Sequence, residues 1–193
     1  MSQSGYNTNF YAVGLGQGGG PTVFNWGNQK NLYTSINSSY YNLVTWRGRM
    51  DNVSITPISC LGMGVDVWFD AELQNGTLLA VEMFIFFRQD GLYKLPENTF
   101  RNFGFRQDFN YSDSQMGLKW LYMYFHPWQD SIGIVSEHRF ELNDYVSLLK
   151  QKAGMPYSEA QFYLTKVDVV MELFMASGVF TVDYLGLEQQ LRG

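Results

Sequence analysis

Residues 63–70 read MGVDVWFD and residues 78–87 read LLAVEMFIFF, with Asn75-Gly76 between them. In the first run Met63, Val65, Val67 and Phe69 share one side, and Gly64, Asp66, Trp68 and Asp70 the other. In the second, Leu79, Val81, Met83, Ile85 and Phe87 share a side, and Glu82 sits opposite them between Ala80 and Phe84. A period of two is the mark of a strand with one face on a core. A third run, 164–174, repeats it: Thr165, Val167, Val169, Met171 and Leu173 face one way, and Lys166, Asp168, Glu172 and Phe174 the other. Three strands therefore carry carboxylates (Asp66, Glu82, Glu172) on the side away from the core.

Asn-Gly between two alternating runs is a strong hairpin signal. A symmetric turn near Gln74 and Asn75 makes Asp66 and Glu82 cross-strand partners, with Cβ atoms ~4.5–5.5 Å apart. A slipped register or a longer loop would separate them. Carboxyls that close raise at least one pKa or share a proton. Two carboxyl groups facing each other across a groove are also what acid/base cleavage of a glycosidic bond requires.

The rest of the composition sets bounds. A chain of 193 residues suits one domain spanning 1–193. Its 46% hydrophobic content excludes a disordered chain. A net charge of -5 argues against a phosphate-tracking surface, so no nucleic-acid partner is expected. The single cysteine, Cys60, excludes an internal disulfide and reads as a small buried hydrophobe. No run reaches the ~18–20 apolar residues of a membrane span, so no membrane partner is expected. The polar start MSQSG is not a secretory leader, which leaves a cytoplasmic protein or a mature secreted form. Aromatic residues make up 17% of the chain, enough both for a β-sandwich core and for platforms on which sugar rings stack.

Strand-like runs occur at 41–47, 52–57, 63–70, 78–87, 117–126, 132–136, 162–174 and 178–185. Many short strands with Gly, Asn and Pro punctuation predict an all-β jelly roll of two packed antiparallel sheets with a concave groove. One helix is expected over 142–152, capped by Asn143, with a Tyr145, Leu148 and Leu149 stripe and Gly154 beyond its end. The stretch 14–20 (GLGQGGG) lacks the Gly-Lys-Ser/Thr of a phosphate loop and reads as a flexible loop. His126 and His138, the only histidines, are expected on the surface or in loops, with no metal-ligand spacing around them.

These residues resemble glycoside hydrolase family 12, the small jelly-roll endoglucanases. The family pattern Tyr-Asp-hydrophobic-[FW], followed about sixteen residues later by Glu-hydrophobic-Met-Ile-Trp, is matched by Val65-Asp66-Val67-Trp68 and Glu82-Met83-Phe84-Ile85-Phe86. The family's second glutamate, before a short Gly-rich stretch, is matched by Glu172-Leu173-Phe174-Met175-Ala176-Ser177-Gly178. The likeness covers roughly residues 41–188, including the lone helix. It implies Glu82 as nucleophile, Glu172 as general acid/base and Asp66 as the group assisting the nucleophile. It also implies a retaining endo-β-1,4-glucanase acting on cellulose-like, mixed-linkage or xyloglucan chains. No cofactor or metal would be needed, and the protein would be a secreted monomer whose partner is its β-glucan.

The departures bear on substrate choice. The expected Trp is Phe86, the usual Met is Phe84, and Met171, Met175 and Ala176 replace glycines around Glu172. The family's N-terminal Asn-Asn-[LV]-Trp-Gly has no clean match. Candidate sugar-binding residues are Trp26, Trp68, Phe84, Phe86, Trp128 and Phe174. Lys166, on the face of Glu172, is expected near the cleft edge. The rival readings are a non-catalytic glycan-binding jelly roll and an endo-β-1,4-xylanase of the sister family.

Overall fold

The computed structural model describes residues 2–4, 11–18, 34–92, 94, 99–107, 119–174 and 176–192. Its central hairpin pairs β5 (Cys60–Glu72) with β6 (Leu78–Gly91). Leu73 N donates to Thr77 O at 2.9 Å and Gly76 N to Leu73 O at 2.9 Å, closing a three-residue loop over 74–76. Gly76 takes φ +79°, the left-handed position such loops require and glycine adopts freely. The turn is therefore centred on Asn75, which places Trp68 opposite Glu82 and Asp66 opposite Phe84. Asp66 and Glu82 are diagonal neighbours, not the directly opposed pair that a turn near Gln74 and Asn75 implies. A slip of two residues preserves the face, so both stay on the same side of the sheet.

Around this hairpin lie β1 (Ser2–Ser4), β2 (Tyr11–Gly18), β3 (Thr34–Ile36), β4 (Tyr40–Ser54), β7 (Thr99–Gln107), β8 (Lys119–His126), β9 (Ser136–Glu141), β10 (Gln161–Phe174) and β11 (Ser177–Leu191). One sheet has the order β1-β11-β4-β9. The other runs β2-β10-β5-β6-β8-β7, with β3 also paired to β10. The jelly-roll expectation holds with one difference: β6 and β8 run parallel, within otherwise antiparallel sheets. The run 41–47 and the first part of 52–57 join into the single strand β4, whose far end contains Asn52 at φ +50°, while residues 55–57 lie beyond it. Of 132–136, only Ser136 belongs to a strand. Residues 14–18 are not a loop: they lie in β2, hydrogen-bonded along β10. Cross-strand pairing supplies what glycine's low strand propensity does not.

The core fills the space between the sheets. Val65, Val67, Phe69, Val81, Met83, Ile85, Phe87, Val167, Val169 and Met171 come from one sheet, and Val44, Trp46, Met50, Phe140 and Phe180 from the other. Each fully buried large side chain contributes ~1.5–3 kcal/mol, so this shared face determines register more firmly than any turn. The helix α1 (Leu142–Ala153) closes one flank, burying Leu142, Val146 and Leu149. Its N-cap is Glu141, not Asn143. Asn143 instead donates to Asn37 O (2.8 Å) and Tyr40 O (3.1 Å), tying the helix to the start of β4. Gly154 ends the helix at φ +64° with its N–H on Lys150 O, as expected. Cys60 is half-buried.

Candidate active site

Two rows of paired residues cross the outer face of the larger sheet. One runs Lys166, Trp68, Glu82; the next runs Asp168, Asp66, Phe84. Thr165 is the extra residue of a bulge in β10, and its buried hydroxyl donates to Trp68 O at 3.1 Å. Four charged side chains meet here, all buried: Asp66 (7% exposed), Glu82 (5%), Asp168 (4%) and Lys166 (3%).

Asp66 is fixed from two sides. Its Oδ2 accepts a 2.7 Å hydrogen bond from Trp68 Nε1. Its carboxyl also meets that of Glu82 in a hydrogen bond. Two carboxylates cannot bond without a proton, and with both ionised Asp66 Oδ1 is a buried acceptor lacking a donor. One shared proton satisfies it. Burial raises the Asp66 pKa to about 6, against the opposing pull of the Lys166 charge and the bonds with Trp68 and Glu82. The pair thus holds a proton well above the ordinary carboxylate range.

Lys166 is not at a cleft edge. It is buried, its Nζ is paired with Asp168 Oδ2, and it lies 6.0 Å from the centre of the Trp68 ring. Burial pushes its pKa down, while Asp66 and Glu82 pull it back up. The physical reason for its place is charge: three buried carboxylates need a cation nearby. Asp168 was legible on the correct face of the 164–174 run, but only the register reveals it as the direct partner of Asp66.

Glu172 stands elsewhere. Its backbone pairs with Gly62 on β5 and Ala12 on β2, six residues along β5 from the Trp68 that faces Glu82. At ~3.3 Å per residue this is roughly 20 Å along the strands, plus two strand spacings of ~4.8 Å. Glycosidase carboxyl pairs stand ~5–9.5 Å apart, so Glu172 and Glu82 are not such a pair in this register. The motif around Glu172 is local, whereas its distance from Glu82 depends on how β10 aligns with β5.

The aromatic candidates divide. Trp68, Phe84 and Phe86 form a buried cluster with Ala80 and Val170 on the carboxylate face, with Tyr124 packed against it. Phe86 is fully buried because it fills the space beside Gly62, where an added Cβ would lie 2.5 Å from its Cε1. Trp128 belongs to the core side: it stacks on His138 at 4.3 Å and packs against Phe87 and Phe140. Trp26 lies outside the described residues, and at Phe174 and Glu172 the description covers the backbone alone.

The histidines are buried, contrary to expectation. His138 sits among Trp46, Phe87 and Trp128 with Nε2 on Asp130 at 2.8 Å, and His126 bonds Gln129 at 2.9 Å. Among the described residues no group of His, Cys, Asp and Glu is arranged to hold a metal, and no helix is long and apolar enough to cross a membrane. A separate cavity of about 810 Å³, beside α1 and lined by Tyr41, Phe140, Glu141 and Tyr145 among others, shares no residue with the carboxylate cluster.

No family model and no curated protein matches the chain. Solved structures do match its fold. A metagenome-derived glycoside hydrolase family 12 endoglucanase aligns at 13% identity over 99% of this chain and 79% of that one, with a TM-score of 0.51. A family 12 xyloglucanase from Bacillus licheniformis aligns at 12% identity over 82% of this chain and 66% of the other, with a TM-score of 0.50. Against an endo-1,4-β-glucanase (15% identity, TM-score 0.45) the match takes in 78% of this chain but only 62% of that one. The chain has the jelly-roll fold of these family 12 glycoside hydrolases. It spans less than two thirds of the length of several structures it matches, 62–63% of each.

Proposed function

We propose that this protein is a glycoside hydrolase that cleaves internal β-1,4 bonds of a glucan with net retention. Glu82 attacks the anomeric carbon, and Asp66 holds the proton that the pair shares. The reading rests on one observation above others. A glutamate and an aspartate are hydrogen-bonded on the outer face of a family 12-like sheet, with a tryptophan N–H fixing the aspartate. The solved structures of this fold include an endoglucanase and a xyloglucanase, which supports a polymeric glucan as substrate. A polysaccharide substrate in turn favours an extracellular site of action.

For attack, Glu82 must be ionised while the shared proton sits on Asp66, which then donates to Glu82 and steadies the carboxylate without neutralising it. Trp68, by donating to Asp66 Oδ2, fixes the orientation of the carboxyl. Reducing-sugar release from mixed-linkage β-glucan, carboxymethylcellulose, xyloglucan and xylan tests the proposal. Release from a glucan that disappears in Glu82→Ala is expected, and release from xylan alone would move the chain to the sister activity. A non-catalytic glycan-binding role is favoured by the roughly 20 Å between Glu82 and the motif-matched Glu172. Binding without release on any polymer would establish that role.

A further inference from the structure

Resting on the hydrolase reading, we propose that Asp168, not Glu172, is the second catalytic carboxyl, with Lys166 as its positioning residue. Asp168 pairs directly with Asp66, one step of the same face from the row of Trp68 and Glu82. Two strand spacings of ~4.8 Å and an offset of two residues put the Asp168 and Glu82 backbones roughly 12 Å apart. Side chains leaning toward each other reduce that to the ~5–9.5 Å between carboxyl groups that glycosidases use. Glu172 fails the same arithmetic.

Two further observations point to a ligand. Asp168 Oδ1 is buried and has no hydrogen-bond partner, although Lys166 Nζ holds Oδ2. Such an acceptor is costly unless a donor arrives, and a sugar hydroxyl or a protonated glycosidic oxygen is one. Along β2, the residues paired with Lys166, Asp168 and Val170 are Gly18, Gly16 and Gly14. At the position paired with Asp168, β2 therefore carries no side chain.

Two protons arm the cluster. Three carboxylates and one ammonium share the site, and the Asp66–Glu82 pair holds one proton. Asp66 keeps that proton toward Glu82, and a second proton, taken from solvent onto Asp168 Oδ1, makes Asp168 the acid and leaves Glu82 ionised. Asp168 then protonates the glycosidic oxygen as its bond to the anomeric carbon breaks and Glu82 forms an ester there. In the second step Asp168 takes a proton from water, whose oxygen displaces Glu82 and restores both carboxyls.

The test compares Asp168→Ala, Asp168→Asn, Glu172→Ala and Glu82→Ala in the full chain, on β-glucan and on a dinitrophenyl β-cellobioside. The aryl group leaves without acid help. Asp168→Ala is expected to lose ~10²–10⁴-fold on β-glucan but no more than about tenfold on the aryl glycoside in the bond-breaking step. Azide should restore turnover of the aryl glycoside through a β-glycosyl azide. Asp168→Asn, with the same shape, guards against a folding defect and should show the same leaving-group dependence. If Glu172→Ala shows that pattern and the Asp168 variants turn over like wild type, the assignment is overturned while the hydrolase reading stands. Absence of turnover in the wild type on every substrate would overturn the hydrolase reading itself, and this assignment with it.

Discussion

Asp66 and Glu82 lie on adjacent strands two residues out of opposition, yet their carboxyls meet in a hydrogen bond. The offset matters because it puts Trp68, not Asp66, directly across from Glu82. The indole then reaches Asp66 along its own strand (2.7 Å), and each carboxyl keeps an identifiable partner.

Stability should report the shared proton. The Asp66 pKa is raised from 3.8 to about 6, so the folded state binds a proton that the unfolded state has released. Stability therefore falls as pH rises from about 4 through 6 and levels off above. At ~1.4 kcal/mol per pH unit the loss is at most about 3 kcal/mol. Asp66→Asn should flatten this part of the profile in thermal melts. A variant whose fall between pH 4 and 6 matches wild type would remove Asp66 from the pair.

Trp68→Phe removes the N–H that favours ionised Asp66, so the Asp66 pKa should climb further. The limb of kcat/KM on which activity falls as Asp66 loses its proton then moves to higher pH, while the maximum drops modestly. An unmoved limb would mean that the 2.7 Å bond does not tune the site.

Gly64→Ala should cost about 3 kcal/mol or more, because the added Cβ would sit 2.0 Å from Ile85 O, a backbone atom that cannot step aside. Gly64 stands in the hairpin where the register shifts beside Met63. Chemical denaturation measures the loss, and a change under 1 kcal/mol would contradict this packing.

Trp128→Ala should lower stability by about 2 kcal/mol, since the ring fills space among Phe87, His138 and Phe140. Its effect on KM for a glucan should be small. A large rise in KM at unchanged stability would return Trp128 to the role of sugar platform.

Much of this was legible because burial imposes alternation. The runs containing Val65, Val67 and Phe69, or Val81, Met83 and Ile85, have one workable orientation, and their carboxylates follow. Register was harder to read. Asn75-Gly76 supports loops of two or three residues, and only the closure of Leu73 on Thr77 selects the latter. The glycines of β2 looked like a loop because local propensity cannot register pairing with β10. His138 looked exposed because its stacking partners, Trp46, Phe87 and Trp128, come from three separate segments. Glu172 matched a local pattern, while its distance from Glu82 is a property of three aligned strands.

The most direct test of Glu82 as nucleophile is covalent trapping. The protein is incubated with dinitrophenyl 2-deoxy-2-fluoro-β-cellobioside, which slows the second step, and its intact mass and peptides are analysed. One fluorinated cellobiosyl unit on the peptide carrying Glu82 is predicted, and it should be absent from Glu82→Gln. Labelling at another carboxylate, or turnover of the unfluorinated glycoside with no labelled protein, would contradict it.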